Sequence, residues 1–344
     1  MPGDGTTGNF TKPSALLLRV VIYCVMYTYL FQTDSLPSSH SRIRSVIAAF
    51  LTGVVVFGTS YYFRGLLGGH AGDFSWPLNA ARSLLLGNNP YKLTNLGPET
   101  FPPDVLLYPM PAILLIFPLA YLSDDLAVSI FLAISSFLLA YAIHIRMPHC
   151  TPILASASFW ACVLDAQWSI LLTFFLLFSL LSPLSVVKPP LAMAAVAVQP
   201  SIRKAILVLI GMIIICVVTI PILQSWPFDW LENIVRPRYR RLVVIWTIPG
   251  FLLCIALIRW KDPAARLLLA LACFPQYPDF YDHVALGLIP NTRKRGLIFA
   301  GISWILFIFS RLTGQRMWSV VALYLVALVF LMMKPAIQQT NLAK

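Results

Sequence analysis

The chain has 344 residues, of which 59% are hydrophobic and only 11% are charged, and its mean hydropathy is +0.80. A soluble domain carries about 25% charged residues, so this composition excludes a water-soluble globular protein and predicts an integral membrane protein. The net charge of +12 does not indicate nucleic-acid binding, because the basic residues stand in short loops between apolar segments, where topology and lipid headgroups account for them.

Residues 1–14 are polar and are predicted to form a flexible N-terminus. The apolar stretch that begins at Ala15 contains Arg19 and lacks a small-residue cleavage site, so a retained helix is predicted rather than a cleaved signal peptide. No repeat or linker interrupts residues 15–334, which are therefore predicted to form a single polytopic membrane domain, followed by the tail 335–344. The cysteines have neither metal-ligand nor redox spacing.

A membrane-spanning helix needs about 20 apolar residues, and fewer suffice where a helix is broken or re-entrant. On this basis we expect an all-α membrane bundle of about ten to twelve hydrophobic helices, several of them short or broken. The candidate segments are 15–31, 46–63, 106–122, 126–145, 152–164, 168–187, 189–198, 205–223, 242–258, 264–274, 296–309 and 318–333.

The distribution of lysine and arginine predicts the orientation. Arg203-Lys204, the residues 259–266, the residues 293–295 and Lys334 form a set that is typical of the cytoplasmic face. Counting spans between these loops places three other segments on the opposite face: the loop that contains Asp73, the segment 276–283 and the loop 226–241. Asp124-Asp125 falls at a cytoplasmic turn in this count.

The loop that contains Arg236, Arg238, Arg240 and Arg241 does not fit this pattern, because the count puts it on the non-cytoplasmic side. One interpretation is that the count is wrong by one span and the loop is an ordinary cytoplasmic loop. The other is an anion site, because arginine presents a planar fork of N–H donors that suits phosphate oxygens.

The loop 64–105 combines a carboxylate, a histidine and glycines at the point where a hydrophobic segment ends. Irregular backbone beside a membrane persists where it is buried in protein or lines a wet cavity. An ionisable residue at such a place is a functional candidate. Asp73 is therefore the first candidate, and His70 is a second one in the same loop.

Several motifs follow one another in an order that resembles a known family. They are Asp73, Gly87-Asn88-Asn89-Pro90-Tyr91, Tyr108-Pro109-Met110-Pro111, Ala166-Gln167-Trp168, Lys188-Pro189, and Pro278 to His283. Together they resemble glycosyltransferase family 87, the polyprenyl-phosphate-dependent mannosyltransferase-like enzymes of the GT-C superfamily. The chain departs from the family at Ala166, where glycine is usual.

The resemblance implies a GT-C-like fold in the cell membrane with an active site on the non-cytoplasmic side. It also implies a hexose donor such as mannose on a polyprenyl phosphate, a lipid or glycan acceptor and surrounding membrane lipids. The sequence has no cluster of histidine, cysteine and carboxylate residues that would support a metal, so neither a metal nor another cofactor is predicted. The sequence has neither a Rossmann glycine fingerprint nor a P-loop, which agrees with a donor that carries no nucleotide.

Asp73 is predicted to be the general base that removes the proton of the acceptor hydroxyl, and the alternative is a helix cap. His283 and Asp282 are predicted to contact the donor phosphate or to hold Asp73, and the alternative for His283 is a histidine satisfied by a backbone carbonyl. Lys188 precedes two prolines at a helix break and is a candidate phosphate contact.

Three further residues have weaker signals. Gln167 is a candidate substrate contact, with an interhelical hydrogen bond as its alternative. Trp76 is a candidate for stacking on the sugar and Tyr91 is a candidate substrate contact, with an interfacial aromatic residue as the alternative for both.

A second class of function stays open, namely a transporter or lipid-handling membrane protein without chemistry, including an inactive relative of the same fold. Transporters often have two similar halves with paired broken helices, and no such symmetry is found in this sequence. The sequence does not indicate an oligomeric state.

Overall fold

The computed structural model describes residues 39–67, 72–93, 96, 105–235 and 242–335. The polar N-terminus 1–14, the predicted helix 15–31 and most of the C-terminal tail lie outside the described residues. So do five candidate site residues, which are His70, Arg236, Arg238, Arg240 and Arg241.

The described part of the chain is helical, and the bridge between Leu242 and Gln276 is its one isolated β-bridge. The α-helices are α1 Ser39–Leu67, α2 Ser75–Leu85, α3 Met110–Ile116, α4 Asp124–Arg146, α5 Ala157–Leu164, α6 Ser169–Leu176, α7 Pro189–Ala197, α8 Ile202–Thr219, α9 Trp226–Val235, α10 Pro263–Cys273, α11 Arg293–Thr313 and α12 Arg316–Met332. The 3-10 helices are Gly72–Phe74, Pro90–Lys92, Phe117–Tyr121, Pro148–Ala155, Ser182–Val187, Ile220–Ile222, Val244–Trp246, Gly250–Arg259 and Phe280–Leu288.

Four helices are long and apolar enough to cross a membrane, which makes this a helical membrane protein with fewer long spans than expected. They are Arg42–Gly65, Asp124–Arg146, Ile202–Ile222 and Arg293–Thr313. The predicted number of ten to twelve is not supported, because the other apolar segments form shorter helices in the described residues. Proline accounts for several of these breaks, since it removes a backbone donor and clashes with the preceding turn.

The long helices differ in how much protein surrounds them. The apolar window of α4 is 61% buried, whereas that of Ile202–Ile222 is only 17% buried and exposes residues such as Leu207 and Ile213. We therefore place α4 at the centre of the bundle and α8 at its lipid-facing edge.

Helices α1 and α4 pack antiparallel over most of their length. A Cβ added at Gly53 would lie 3.1 Å from the carbonyl oxygen of Ala133, and Ser129 donates a hydrogen bond of 3.2 Å to Ser60 Oγ. Small residues let the backbones of membrane helices approach closely in this way. The pairing brings the end of α1, with Arg64, to the beginning of α4.

The charged residues separate to two ends of the bundle. At the end we call the basic end, Arg259 donates to the carbonyls of Met332 and Lys334, and Arg266 donates to the carbonyl of Ala197. At the opposite end, which we call the acidic end, contacts group Asp73, Asp124, Asp165, Asp279 and Asp282. This end also holds a smaller number of arginines, namely Arg64, Arg82, Arg311 and Arg316. The basic end also holds Arg42, Arg44, Arg146, Arg203, Lys204, Lys261, Arg293, Lys294 and Arg295. The positive-inside rule predicts that the basic end faces the cytoplasm, and this orientation stays a prediction.

The segment 106–122 does not cross the bundle, so the prediction of a span there is wrong. Arg82 of α2 donates to the carbonyls of Ala120 and Leu122 and pairs with Asp124 at 2.5 Å. Tyr108, near the other end of the segment, lies 6.0 Å from the ring of Trp168, which closely follows Asp165. Both ends of the segment therefore lie at the acidic end, and Asp124 shares that end with Asp73 instead of lying at the predicted cytoplasmic turn. The apolar residues of this segment pack against α2 instead of facing lipid, which is why composition alone suggested a span.

A labelling experiment checks this topology. In a variant without its native cysteines, Leu86→Cys and Tyr121→Cys should react with a membrane-impermeant thiol reagent from the same side, because both exposed side chains lie at the acidic end. Arg203→Cys should react only from the other side. Labelling of Leu86→Cys and Tyr121→Cys from opposite sides would restore 106–122 as a span.

Candidate functional site

The backbone at Asp73 is held against the turn between α5 and α6. Gly72 has a φ of +53°, and a Cβ at this position would lie 2.3 Å from the carbonyl oxygen of Asp165. The backbone N–H of Asp73 donates to that same carbonyl at 3.3 Å. Only glycine fits this conformation and this contact without strain, so the position of Asp73 depends on Gly72.

The carboxylate of Asp73 does not cap helix α2. The N-cap residue of α2 is Phe74, without a side-chain hydrogen bond to the helix, and Asp73 lies in the preceding 3-10 turn. Instead, the carboxylate accepts a short hydrogen bond from Nε2 of Gln167. The capping role considered for Asp73 is therefore not the one that the structure has.

Gln167 reaches Asp73 because the chain turns sharply after α5. Ala166 has a φ of +52°, and it is the one non-glycine residue with positive φ in the described part of the chain. This left-handed conformation costs roughly 1–2 kcal/mol for a residue with a Cβ. After the turn, the N–H of Gln167 donates to the carbonyl of Cys162 at 2.9 Å, and its side chain is fully buried.

Lys188 continues the hydrogen-bonded chain from Gln167 to Asp282. Its Nζ donates to Oε1 of Gln167 at 3.1 Å and pairs with Oδ1 of Asp282 at 2.5 Å. Ser169 Oγ donates to the same Asp282 oxygen at 3.1 Å. We call Asp73, Gln167, Lys188 and Asp282 the polar chain.

The polar chain joins four segments that are far apart in the sequence. Asp73 precedes α2, Gln167 precedes α6, Lys188 is the N-cap of α7, and Asp282 lies in the 3-10 helix Phe280–Leu288. All four positions are ends or irregular parts of helices. A proline pair after Lys188 stops the preceding helix and starts α7, which leaves the lysine at the junction between the two helices.

Burial raises the pKa of Asp73, and the hydrogen bond from Gln167 and the charge of Lys188 lower it only in part. Burial likewise raises the pKa of Asp165 to about 6. Both groups lie outside the four long apolar helices. A carboxylate with a raised pKa is better matched to proton transfer near neutral pH than an ordinary aspartate.

His283 lies beside the polar chain, next to Asp282 in the sequence. Its ring is fully buried in a kink of the 3-10 helix, and Nδ1 lies 3.2 Å from the hydroxyl of Tyr324. Gln276 donates to the same hydroxyl at 3.3 Å. Burial lowers the pKa of His283 to about 4, so its imidazole is neutral near pH 7. No hydrogen bond among the described residues joins His283 to Asp73 or to Lys188, and its predicted contact with the donor stays a prediction.

An aromatic cluster supports the polar chain. The ring of Trp168 lies 5.0 Å from Phe131, 6.0 Å from Tyr108 and 6.2 Å from Phe74. Tyr91 is buried and donates from its hydroxyl to the carbonyl of Tyr108 at 3.1 Å.

Tyr91 and Trp76 belong to a second apolar cluster that packs α2, α3 and α9 together. In that cluster Tyr91 stacks on Trp226, with ring centroids 6.5 Å apart. Neither side chain has a hydrogen bond to the polar chain in the described residues.

Sequence reasoning missed two groups near the polar chain. Arg64 is buried and donates to the carbonyls of Val163 and Leu164 at 3.2 and 3.1 Å, which satisfies the end of α5 beside Asp165. Asp279 is buried and caps the 3-10 helix by accepting from the N–H of Phe280 at 2.7 Å. The one sequence signal for Arg64 was its position at the end of an apolar segment. Asp279 lies within the motif from Pro278 to His283.

No group of three or more histidine, cysteine, aspartate or glutamate residues in the described part of the chain is placed to hold a metal ion. The candidates His70, Arg236, Arg238, Arg240 and Arg241 lie outside the described residues.

Comparison with known proteins leaves the family assignment as a resemblance. No family model matches the chain, no curated protein matches it, and no solved structure matches it.

Substitution of Gly72 tests whether the site depends on its close contact with Asp165. Gly72→Ala should lower the free energy of unfolding by more than about 1 kcal/mol, because the new Cβ meets a backbone carbonyl in a left-handed conformation. Gly301→Ala is the matched control, since nothing lies within 4 Å of its Cβ in the middle of α11. Thermal unfolding of the purified variants measures both. Equal midpoints would show that the contact does not matter.

Proposed function

We propose that this protein is a membrane glycosyltransferase that moves a hexose from a polyprenyl phosphate to a lipid or glycan acceptor at the acidic end. The observation that carries the proposal is the polar chain. Asp73, Gln167, Lys188 and Asp282 each stand in a motif of the resemblance, and they form one hydrogen-bonded cluster in which Gln167 and Asp282 are buried and Asp73 and Lys188 are partly buried. Packing alone does not require four such residues to meet inside a membrane protein, where buried ionisable groups are costly.

In this reaction the acceptor hydroxyl oxygen forms a bond to C1 of the hexose. The bond between C1 and the phosphate oxygen breaks, and the electron pair leaves with the polyprenyl phosphate. Asp73 takes the proton of the attacking hydroxyl and passes it on to water after the products separate. A positioned carboxylate of this kind contributes typically about 10²–10⁴-fold to a rate.

Gln167 and Lys188 position this base. The amide of Gln167 donates to Asp73, while its oxygen accepts from Lys188, so the orientation of the amide is defined from both sides. Lys188 already pairs with Asp282 at 2.5 Å, and breaking a buried pair is costly. We therefore assign Lys188 to holding Gln167 and Asp73 in place rather than to binding the donor phosphate.

A lipid-linked donor suits a site at this depth. The polar chain lies among apolar helices, and a sugar phosphate on an isoprenoid approaches such a site through the membrane without crossing water. The absence of nucleotide-binding motifs from the sequence agrees with this donor class.

The alternative is a carrier that uses the buried carboxylates and lysine to bind a proton or another cation, since intramembrane ion pairs also occur along transport pathways. A carrier releases its cargo unchanged, whereas the transferase releases free polyprenyl phosphate. Chromatography of the lipid products separates the two functions.

Replacement of Asp73 by asparagine tests the proposed base. Asp73→Asn keeps the shape of the side chain but cannot accept the proton of the acceptor. Transfer of labelled hexose from a polyprenyl phosphate should fall by about 10²-fold or more, equivalent to about 2.7 kcal/mol of barrier. Asp124→Asn is a suitable control, because its carboxylate pairs with Arg82 away from the polar chain. Nearly normal transfer by Asp73→Asn would remove Asp73 from the chemistry.

The rate should also depend on pH in a defined direction. Asp73 acts as a base only when it is ionised, and burial raises its pKa, so the transfer rate should fall as the pH is lowered through a midpoint above the usual value of about 3.9. Asp165 also titrates above the usual range, so the profile of Asp165→Asn identifies the group responsible. Disappearance of the low-pH limb in that variant would assign the limb to Asp165.

A further inference from the structure

Two arginines approach one buried carboxylate at the acidic end. Arg311 Nη2 lies 3.8 Å from Oδ1 of Asp279, and Arg316 Nη1 lies 3.6 Å from Oδ2. Both distances suit charge attraction but exceed the 2.7–3.2 Å that is usual for a hydrogen bond. The side chains of Arg311 and Arg316 are 42% and 44% exposed, whereas that of Asp279 is 7% exposed. Asp279 therefore attracts both guanidinium groups but is too far from their nearest nitrogen atoms for an ordinary hydrogen bond.

The local structure fixes the positions of the two arginines. Arg311 lies in the last turn of α11, with its guanidinium 5.0 Å from the ring centre of Phe307. Gly314 ends that helix with a φ of +72°, and α12 begins at Arg316. The tight corner between the helices brings both side chains to the same carboxylate.

The beginning of α12 adds a further favourable field for an anion. No side chain caps this helix through its N-cap residue Gln315, and its first turn contains no acidic residue. The helix dipole places partial positive charge at such an end. This field supports the arginine pair, which remains the main feature.

The arginine pair adjoins the polar chain. Asp279 caps the 3-10 helix Phe280–Leu288, which contains Asp282. Asp165, whose carbonyl holds the backbone of Asp73, lies in the electrostatic field of Arg311 and Asp279. An anion on the arginines would therefore lie at the edge of the proposed reaction site.

The surroundings of the pair are apolar and exposed. Leu312 is 81% exposed, and Trp318 is 45% exposed at the start of α12. Both lie where one long apolar helix ends and the next apolar helix begins. Exposed apolar residues with tryptophan at a helix end are typical of the membrane interface, which is the level of lipid phosphates.

We propose that Arg311 and Arg316 bind the phosphate of the lipid-linked sugar donor. This inference rests on the proposed function and specifies which residues receive the leaving group. The two guanidinium charges exceed the single charge of Asp279, so the pair attracts an anion such as a phosphodiester. Asp165, which also lies in the field of Arg311, reduces this attraction when it is ionised. Arginine also presents paired N–H donors that fit phosphate oxygens. The charge that develops on the phosphate as the bond to C1 breaks is stabilised by the same two groups.

A purely structural role predicts a different response to substitution. If the arginines only hold the corner between α11 and α12 by pairing with Asp279, then Arg311→Gln and Asp279→Asn both lower stability and neither changes lipid affinity. If they bind phosphate, Asp279 competes with the ligand for the arginines. Asp279→Asn should then strengthen binding of the phosphate, while the arginine substitutions weaken it. Asparagine still caps a helix about as well as aspartate.

The test measures binding to the full-length protein in nanodiscs of zwitterionic lipid. The probe is a fluorescent polyprenyl phosphate that carries a hexose, and the same polyprenol without phosphate is the reference ligand. We expect Arg311→Gln and Arg316→Gln each to raise the Kd of the phosphate lipid at least tenfold, and Asp279→Asn to lower it. Arg203→Gln, an exposed arginine at the basic end, should bind as wild type does. Affinity for the polyprenol should be the same in all variants.

Two controls separate folding and ligand source. Arg311→Lys and Arg316→Lys keep a positive charge beside Asp279, so these variants should fold even if the glutamine variants do not. They should still weaken phosphate binding, because lysine lacks the paired N–H donors of arginine. Phosphatidylglycerol and inorganic phosphate are added as competitors. Displacement of the probe by either one at equal concentration would overturn the assignment to the donor.

The transfer assay then distinguishes failure of this inference from failure of the proposed function. Unchanged Kd in the arginine variants of a protein that still transfers hexose would overturn the arginine site alone. Arginine-dependent binding without any hexose transfer would overturn the transferase and leave the phosphate site. Wild-type protein that binds the phosphate lipid no better than the polyprenol would overturn both.

Discussion

The ion pair between Lys188 and Asp282 is the interaction on which the rest of the site depends. A charge inside a membrane protein is tolerated when it is paired and when its remaining hydrogen bonds are satisfied. Lys188 meets this condition through Asp282 and Gln167, and Gln167 transmits the arrangement to Asp73. The Asp73 carboxylate, at one end of the polar chain, therefore has a defined orientation, although Asp73 lies in a separate turn of the backbone.

This requirement explains why so much of the bundle consists of short helices. A continuous helix satisfies its own backbone and presents side chains only along its sides. Helix ends and 3-10 turns bring polar side chains and backbone groups together in one place, and they are tolerated in a membrane where protein surrounds them. The polar chain is built from four such interruptions. The long helices, by contrast, include the strongly lipid-exposed segment Ile202–Ile222 and the central helix α4.

Much of this arrangement was predictable where a local signal existed. Composition predicted a helical membrane protein. The count of spans between basic loops put Asp124-Asp125 on the opposite face from Asp73, whereas the structure places Asp124 at the same end as Asp73. The family resemblance selected the members of the polar chain, although nothing in the sequence specified their hydrogen bonds. The prediction failed for 106–122, because an apolar segment that packs on α2 has the same composition as one that faces lipid.

Other features needed the three-dimensional contacts. The sequence did not show that Ala166 adopts a positive φ, which is strained for a residue with a Cβ. The direction of the His283 ring depends on Tyr324, which is distant in sequence. Arg311 and Arg316 resembled ordinary helix-end arginines until the corner between α11 and α12 brought them to Asp279. A structure of the protein with a bound, non-hydrolysable polyprenyl-phosphate sugar analogue is the sharpest test of the role of Asp73. If Asp73 is the base, the sugar will lie within hydrogen-bond reach of Asp73 at the acidic end. A sugar bound at the basic end, about 30 Å away across the bilayer, would contradict it.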